Sequence, residues 1–243
     1  MIALFTDFGL AGPYTGQVTA VLRQRAPETS IISLFADAPS ARPRPSAYLL
    51  AAYGAWFPAG TVLLCVVDPG VGGARRAVIA EAEGRVYVGP DNGLFDIVMR
   101  RDRDARLWEI GWCPETLSAS FHGRDLFAPV AARLANGEPI TALARPTADA
   151  STMRGWPDDL AEIVYVDHYG NAMTGQRGAL LSPEARLVTG GHALASAATF
   201  SSVPHGQAFW YVNSNGLAEI AVNGARADTT LGLAIGSAIR VED

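Results

Sequence analysis

The feature that most constrains this 243-residue chain is the rhythm of its first half, where short apolar runs alternate with segments of helical pattern. Runs at 2–5, 31–35 and 61–67 are separated by a helical pattern from Tyr14 to Arg25 and by a second that ends before Trp56. Strands that read as continuous apolar runs are buried on both faces. Divided by helices, they predict strand–helix–strand units with a parallel sheet covered on both sides. Further strands are expected at 77–81 and 85–88, turning over Glu83-Gly84, with helices at 94–101 and 123–135. The last helix should stop at Asn136-Gly137, where a left-handed cap fits. The uncharged stretch 46–67 is long enough to raise the question of a membrane span, but Gly54, Pro58 and Gly60 divide it into a core helix and a core strand.

The texture changes over 145–159, a polar, turn-rich stretch containing Pro146, Gly155 and Pro157. A domain boundary belongs there. It separates an α/β domain at 1–148, with a mostly parallel sheet flanked by helices, from a small all-β domain at 158–243. In the latter, Leu160–Val166, 186–188, Ala208–Val212, Leu217–Val222 and 238–241 read as short strands of a sandwich or barrel.

Composition removes several function classes. A formal charge of −5 argues against a protein that works by neutralising nucleic-acid phosphates. All 19 basic residues are arginine. Schiff-base chemistry, a pyridoxal-phosphate anchor and the phosphate-loop lysine are therefore gone together. Cys65 and Cys113 stand alone, without zinc-like or disulfide-like spacing, and the apolar N-terminus lacks the basic region of a signal peptide. The expectation is a cytoplasmic, soluble protein with neither metal nor membrane partner.

In an open parallel sheet, ligands bind beyond the carboxyl ends of the strands, so the residues that follow each strand carry the argument. The first strand delivers Thr6-Asp7-Phe8-Gly9, which without a kinase's lysine and His-Arg-Asp reads by itself as a carboxylate capping the turn into the next helix. The third delivers Asp68-Pro69-Gly70-Val71-Gly72-Gly73-Ala74-Arg75-Arg76, too constrained for a plain surface turn and without the dinucleotide G-x-G-x-x-G spacing. Pro90-Asp91-Asn92-Gly93 is explained by turn or cap chemistry. His122, in Phe121-His122-Gly123-Arg124-Asp125, stands at a helix N-terminus whose dipole favours the neutral imidazole; it is either a satisfied hydrogen-bonder or a group that orients or deprotonates water. In the second domain Asp167-His168-Tyr169-Gly170-Asn171 offers a carboxylate, an aromatic face and an amide, or simply an Asx turn. Asn213-Ser214-Asn215-Gly216 runs into Leu217-Ala218-Glu219-Ile220-Ala221, where an edge backbone could read a heterocycle but edge-strand packing alone is the favoured explanation.

Taken in order, these six segments resemble the S-adenosylmethionine hydroxide adenosyltransferase family, adenosine-forming hydrolases related to the fluorinating and chlorinating enzymes. The resemblance spans nearly the whole chain. It implies that water displaces methionine from the ribose 5′ carbon of S-adenosyl-L-methionine, giving adenosine and L-methionine without metal or other cofactor. It also implies a homotrimer with sites between subunits. The family's water-activating triad falls on Asp68, Arg75 and His122. By the same matching Asp7 holds the ribose hydroxyls, Tyr169 stacks on adenine, Asn171 and the backbone around Ala221 read the base edge, and Asp167 meets the methionine ammonium. Phe8, Ser214 and Glu219 come over as further substrate-binding residues. Two departures stand out: Gly12 replaces a second aspartate before Tyr14, and Ser33-Leu34-Phe35-Ala36 replaces an Asp-x-Thr-His segment. The alternatives are a halide-dependent 5′-halogenase relative, disfavoured by a carboxylate at 68, or a non-catalytic module that binds S-adenosylmethionine or adenosine.

Overall fold

The computed structural model describes residues 1–147 and 155–242. The chain forms two compact units, Met1–Gly155 and Trp156–Asp243. Of the expected boundary stretch, residues 148–154 lie outside the described residues.

The first unit is built on β1 (Ile2–Thr6), α1 (Tyr14–Arg25), β2 (Ile31–Phe35), α2 (Pro43–Gly54), β3 (Val62–Val66), β4 (Ala77–Ala82), β5 (Arg85–Pro90), α3 (Asp96–Arg101), β6 (Arg106–Ile110), α4 (Ala128–Ala135) and β7 (Ala144–Pro146). Its sheet runs β2-β1-β3-β5-β4-β6-β7. β1, β2, β3 and β5 are parallel; β4 opposes β5 and β6, and β7 opposes β6, so only β4 and β7 point against the others. The sheet is mostly parallel, as the alternating pattern requires. β1 and β3 are buried at every position because helices cover both faces. Ile2, Leu4 and Leu64 join Val18 and Leu22 of α1 and Val130 and Ala131 of α4 in one core. On the opposite face Phe5 meets Phe35 edge-on, and Phe35 meets Tyr53 of α2.

The uncharged stretch 46–67 resolves into α2, which ends at Gly54, and β3. α4 closes as expected: Gly137 at φ +88° lets its own N–H reach Leu134 O and that of Glu138 reach Arg133 O. β6 and β7 carry no apolar run long enough to be seen in the sequence, and join the sheet only by pairing with strands already in place.

The second unit contains β8 (Leu160–Val166), β9 (Ala172–Arg177), β10 (Arg186–Thr189), β11 (His192–Leu194), β12 (Ala208–Val212), β13 (Leu217–Val222), α5 (Ala227–Leu231) and β14 (Arg240–Glu242). They make a four-stranded antiparallel sheet, β12-β13-β9-β8, and a three-stranded one, β11-β10-β14. Ile163, Leu187, Trp210 and Ile220 fill the core between them. β9, β11 and the short α5 are additions to the sequence reading.

Candidate active site

β1 and β3 pair in parallel with Thr6 beside Val66, so the residues that follow them leave the same edge of the sheet together. The Asp7 N–H still donates to Val66 O, at 3.3 Å, and Asp68 follows two residues after the end of β3. Two carboxylates thus emerge side by side where parallel sheets bind ligands. The loop from Asp68 then turns tightly at Gly72, φ +75°; a Cβ there would lie 2.3 Å from Ala119 O, so only glycine lets this loop approach the segment leading to His122. That approach brings Arg75 to both partners.

Arg75 Nε lies 3.1 and 3.0 Å from the two Asp68 oxygens and its Nη2 2.5 Å from Oδ2. The same Nη2 sits 2.8 Å from His122 Nδ1. The side chains are nearly enclosed, Asp68 at 4% exposure and Arg75 at 11%. The Arg75 guanidinium also lies over the Phe127 ring, 5.2 Å from its centroid. Because arginine only donates, His122 Nδ1 must accept, which makes the imidazole neutral with its proton on Nε2. Burial, and next the Arg75 charge, hold the His122 pKa below its ordinary value. His122 is the N-cap of the π-helical turn Gly123–Phe127 that precedes α4, the helix N-terminus expected from the sequence. Of the loop's two arginines only Arg75 reaches Asp68. Arg76 pairs with Asp91, while Asn92 donates to Val67 O and accepts from the Leu94 N–H, the turn chemistry expected of that segment.

Asp68 and His122 line a cavity of about 500 Å³ together with Asp7, Phe8, Tyr14, Phe121 and Arg124, a volume suited to a small organic ligand. Arg75 is not among the lining residues; it fixes the wall from within. Asp7 accepts from the Ala41 N–H at 2.8 Å, and burial raises its carboxyl above the usual range. Ala41 takes a left-handed φ of 55° to make that contact. Of the aromatic part of the lining, sequence reasoning nominated Phe8 but passed over Tyr14 and Phe121; the three rings meet one another with centroids 5.4 to 6.2 Å apart. Their positions, at a strand end, a helix start and before His122, gave no shared periodicity to reveal this. Phe35, at one of the sequence departures, is a core residue, 7% exposed.

The second unit gathers its candidates in two groups. Asp167 accepts the Asn171 N–H at 2.8 Å and the Asn171 Nδ2 at 3.1 Å, closing the turn that leaves Tyr169 74% exposed. Glu219, 2% exposed, accepts from Tyr211 Oη and from Asn213 Nδ2 at 2.7 Å; Asn213 Oδ1 in turn caps the N–H groups of Asn215 and Leu217. Burial pushes the Glu219 pKa up. Its carboxylate is spent on shaping the loop that exposes Ser214, while Ala221 lies in β13, paired with Phe209. Among the described residues no three His, Cys, Asp or Glu side chains are grouped to hold a metal ion.

Fold and site together define a two-unit α/β-plus-β protein with a carboxylate–arginine–histidine cluster on a small-molecule cavity. Residues 2–144 match the S-adenosylmethionine hydroxide adenosyltransferase N-terminal domain and residues 161–240 the corresponding C-terminal domain. The chain is 39% identical over 258 residues to the (R)-S-adenosyl-L-methionine hydrolase of Thermus thermophilus, covering 99% of this chain and 98% of that one. A crystal structure of a conserved Thermotoga maritima protein superposes with a TM-score of 0.90 at 29% identity, covering 100% of both chains. A fluorinase of Nocardia brasiliensis is more distant, 23% identical over 72% of this chain and 70% of its own. The chain belongs to the S-adenosylmethionine hydroxide adenosyltransferase family.

Proposed function

We propose that this protein is an S-adenosyl-L-methionine hydrolase, as its Thermus relative is named, and that it forms adenosine and L-methionine by attack of water at the ribose 5′ carbon. The observation that carries the reading is the Asp68–Arg75–His122 cluster, two of whose members face the cavity. A new C5′–O bond forms as the C5′–S bond breaks, and the electron pair of that bond leaves with sulfur as a neutral thioether. The leaving group needs no acid. The water needs orientation and an acceptor for its proton. Asp68 is that acceptor, since Arg75 leaves part of its lone-pair capacity free. His122, neutral and protonated on Nε2, donates a hydrogen bond and so aims the water; it does not take the proton.

Asp7 then holds the ribose hydroxyls beside Phe8. Tyr169, Asn171 and the backbone at Ala221 receive adenine, Asp167 the ammonium group, and Ser214 lies on the same loop system. Glu219 supports that loop and does not touch the ligand. Ligand roles divided between two units fit a homotrimer with sites completed between subunits. The exposed free thiol of Cys113 fits a reducing, cytoplasmic setting, and no helix among the described residues is long and apolar enough to cross a membrane.

Incubation with each sulfonium epimer of S-adenosyl-L-methionine in ¹⁸O-water, with and without chloride, tests the reading. Label on the 5′ oxygen of adenosine is expected; label in methionine refutes attack at that carbon. A 5′-chloro product would support the halogenase instead. Ligand binding without any product would support the non-catalytic module.

A further inference from the structure

The aromatic lining of the cavity has no part in the water chemistry just described. Phe8 and Phe121 lean on the core, but Tyr14 is 51% exposed, and its ring meets the other two at 6.2 and 5.4 Å. Tyr14 thus presents part of its ring to a cavity that Asp7 and Asp68 also line.

The charges of the lining sharpen the point. Asp68 is neutralised by Arg75. Arg124 is neutralised by Asp125, through contacts of 2.6 and 3.0 Å, and lies 5.1 Å from the Phe121 centroid. His122 is neutral. Among the described residues Asp7 has no cationic partner; its carboxylate accepts from backbone N–H groups, that of Ala41 at 2.8 Å. The cavity therefore combines π-electron surface with one uncompensated negative charge, the combination that recognises an onium cation.

We propose that Phe8, Tyr14 and Phe121 receive the sulfonium cation of the substrate, with the charge of Asp7 acting through space, and so distinguish the cationic substrate from neutral thioethers. The inference rests on the hydrolase reading and adds a kinetic consequence to it. The sulfur loses its positive charge as the C5′–S bond breaks, so the rings stabilise the bound ground state more than the transition state. Removing a ring must raise KM without lowering kcat.

The test compares KM and kcat for S-adenosyl-L-methionine with the Ki of S-adenosyl-L-homocysteine, which keeps the nucleoside, ammonium and carboxylate but carries a neutral sulfur. For Tyr14→Leu, KM should rise about two- to five-fold, with kcat unchanged or higher and Ki within about two-fold of the parent. Phe8→Leu, at a more enclosed ring, should raise KM about ten- to thirty-fold with the same selectivity. Tyr14→Phe, which keeps the ring, should match the parent. A fall in kcat, or parallel weakening of the homocysteine analogue, overturns the inference while leaving the hydrolase intact. Parent protein that neither binds nor turns over S-adenosyl-L-methionine overturns the hydrolase reading, and the cation site with it.

Discussion

Replacing Arg75 by lysine perturbs the cluster where its geometry is most demanding. The guanidinium places one edge on both Asp68 oxygens and shares Nη2 with His122 Nδ1. A lysine ammonium is a point charge on a flexible stem, and cannot reproduce that planar fork. It would keep one contact to Asp68 and give up the rest, including the donor that sets the His122 tautomer. Hydrogen bonds to charged groups are worth about 1.5–3 kcal/mol each, and part of the loss is recovered by the retained charge, so the net cost in stability should be about 2–3 kcal/mol. For a chain of this size that is a fall in Tm of about 4–12 °C. The catalytic loss should be larger than stability alone suggests, because the water then faces a loosened carboxylate and a ring free to protonate either nitrogen. A fall of about 10²-fold in kcat, equivalent to about 2.7 kcal/mol, is expected with KM nearly unchanged. Adenosine release across a range of substrate concentrations measures both, and thermal unfolding reports the stability. A kcat within three-fold of the parent, or a loss confined to KM, would refute the assignment of Arg75 as the group that holds base and orienter together.

Lowering the pH tests the neutral imidazole. The folded His122 pKa lies below its ordinary value, so the imidazole keeps its neutral, active form until pH falls through the lower folded value, whereas the stability it contributes begins to fall at the ordinary value and is fully lost below the folded one. A kcat/KM profile whose acid limb sits at or above about 6.5, the unperturbed histidine value, would contradict this. Gly72→Ala should destabilise by at least about 2 kcal/mol, since a left-handed φ and a backbone oxygen 2.3 Å from the new Cβ force the two loops apart; a chemical denaturation midpoint equal to the parent's would count against it. Glu219→Gln should keep near-parent stability at neutral pH because an amide can serve both Tyr211 and Asn213, whereas Glu219→Ala should cost about 2 kcal/mol or more by orphaning them. Equal melting temperatures for the two variants would remove the loop-shaping role.

The sequence by itself determined the α/β unit and the chemical types at its strand ends. Apolar runs and the helical patterns between them made β1, α1, β2 and β3 legible nearly to their ends and α2 in outline; β1 and β3 are buried at every position, whereas β2, at the sheet edge, is partly exposed. Asp7, Asp68 and His122 could be singled out because they follow strands or precede a helix, and Arg75 because it shares the glycine-rich loop with Asp68; their grouping as a triad came only from the family resemblance. β6, β7 and β9 could not be read, because they carry no uninterrupted apolar run and acquire their structure from the neighbours they pair with. Only the tertiary structure decided which arginine of Arg75-Arg76 meets Asp68, which nitrogen of His122 carries the proton, and that Glu219 is occupied by Tyr211 and Asn213. It also brought Phe8, Tyr14 and Phe121 to one cavity wall from three distant segments. These are questions of distance and direction between residues far apart in the chain. A local pattern encodes what a side chain can donate or accept, but the partner is chosen by the packing that brings the segments together.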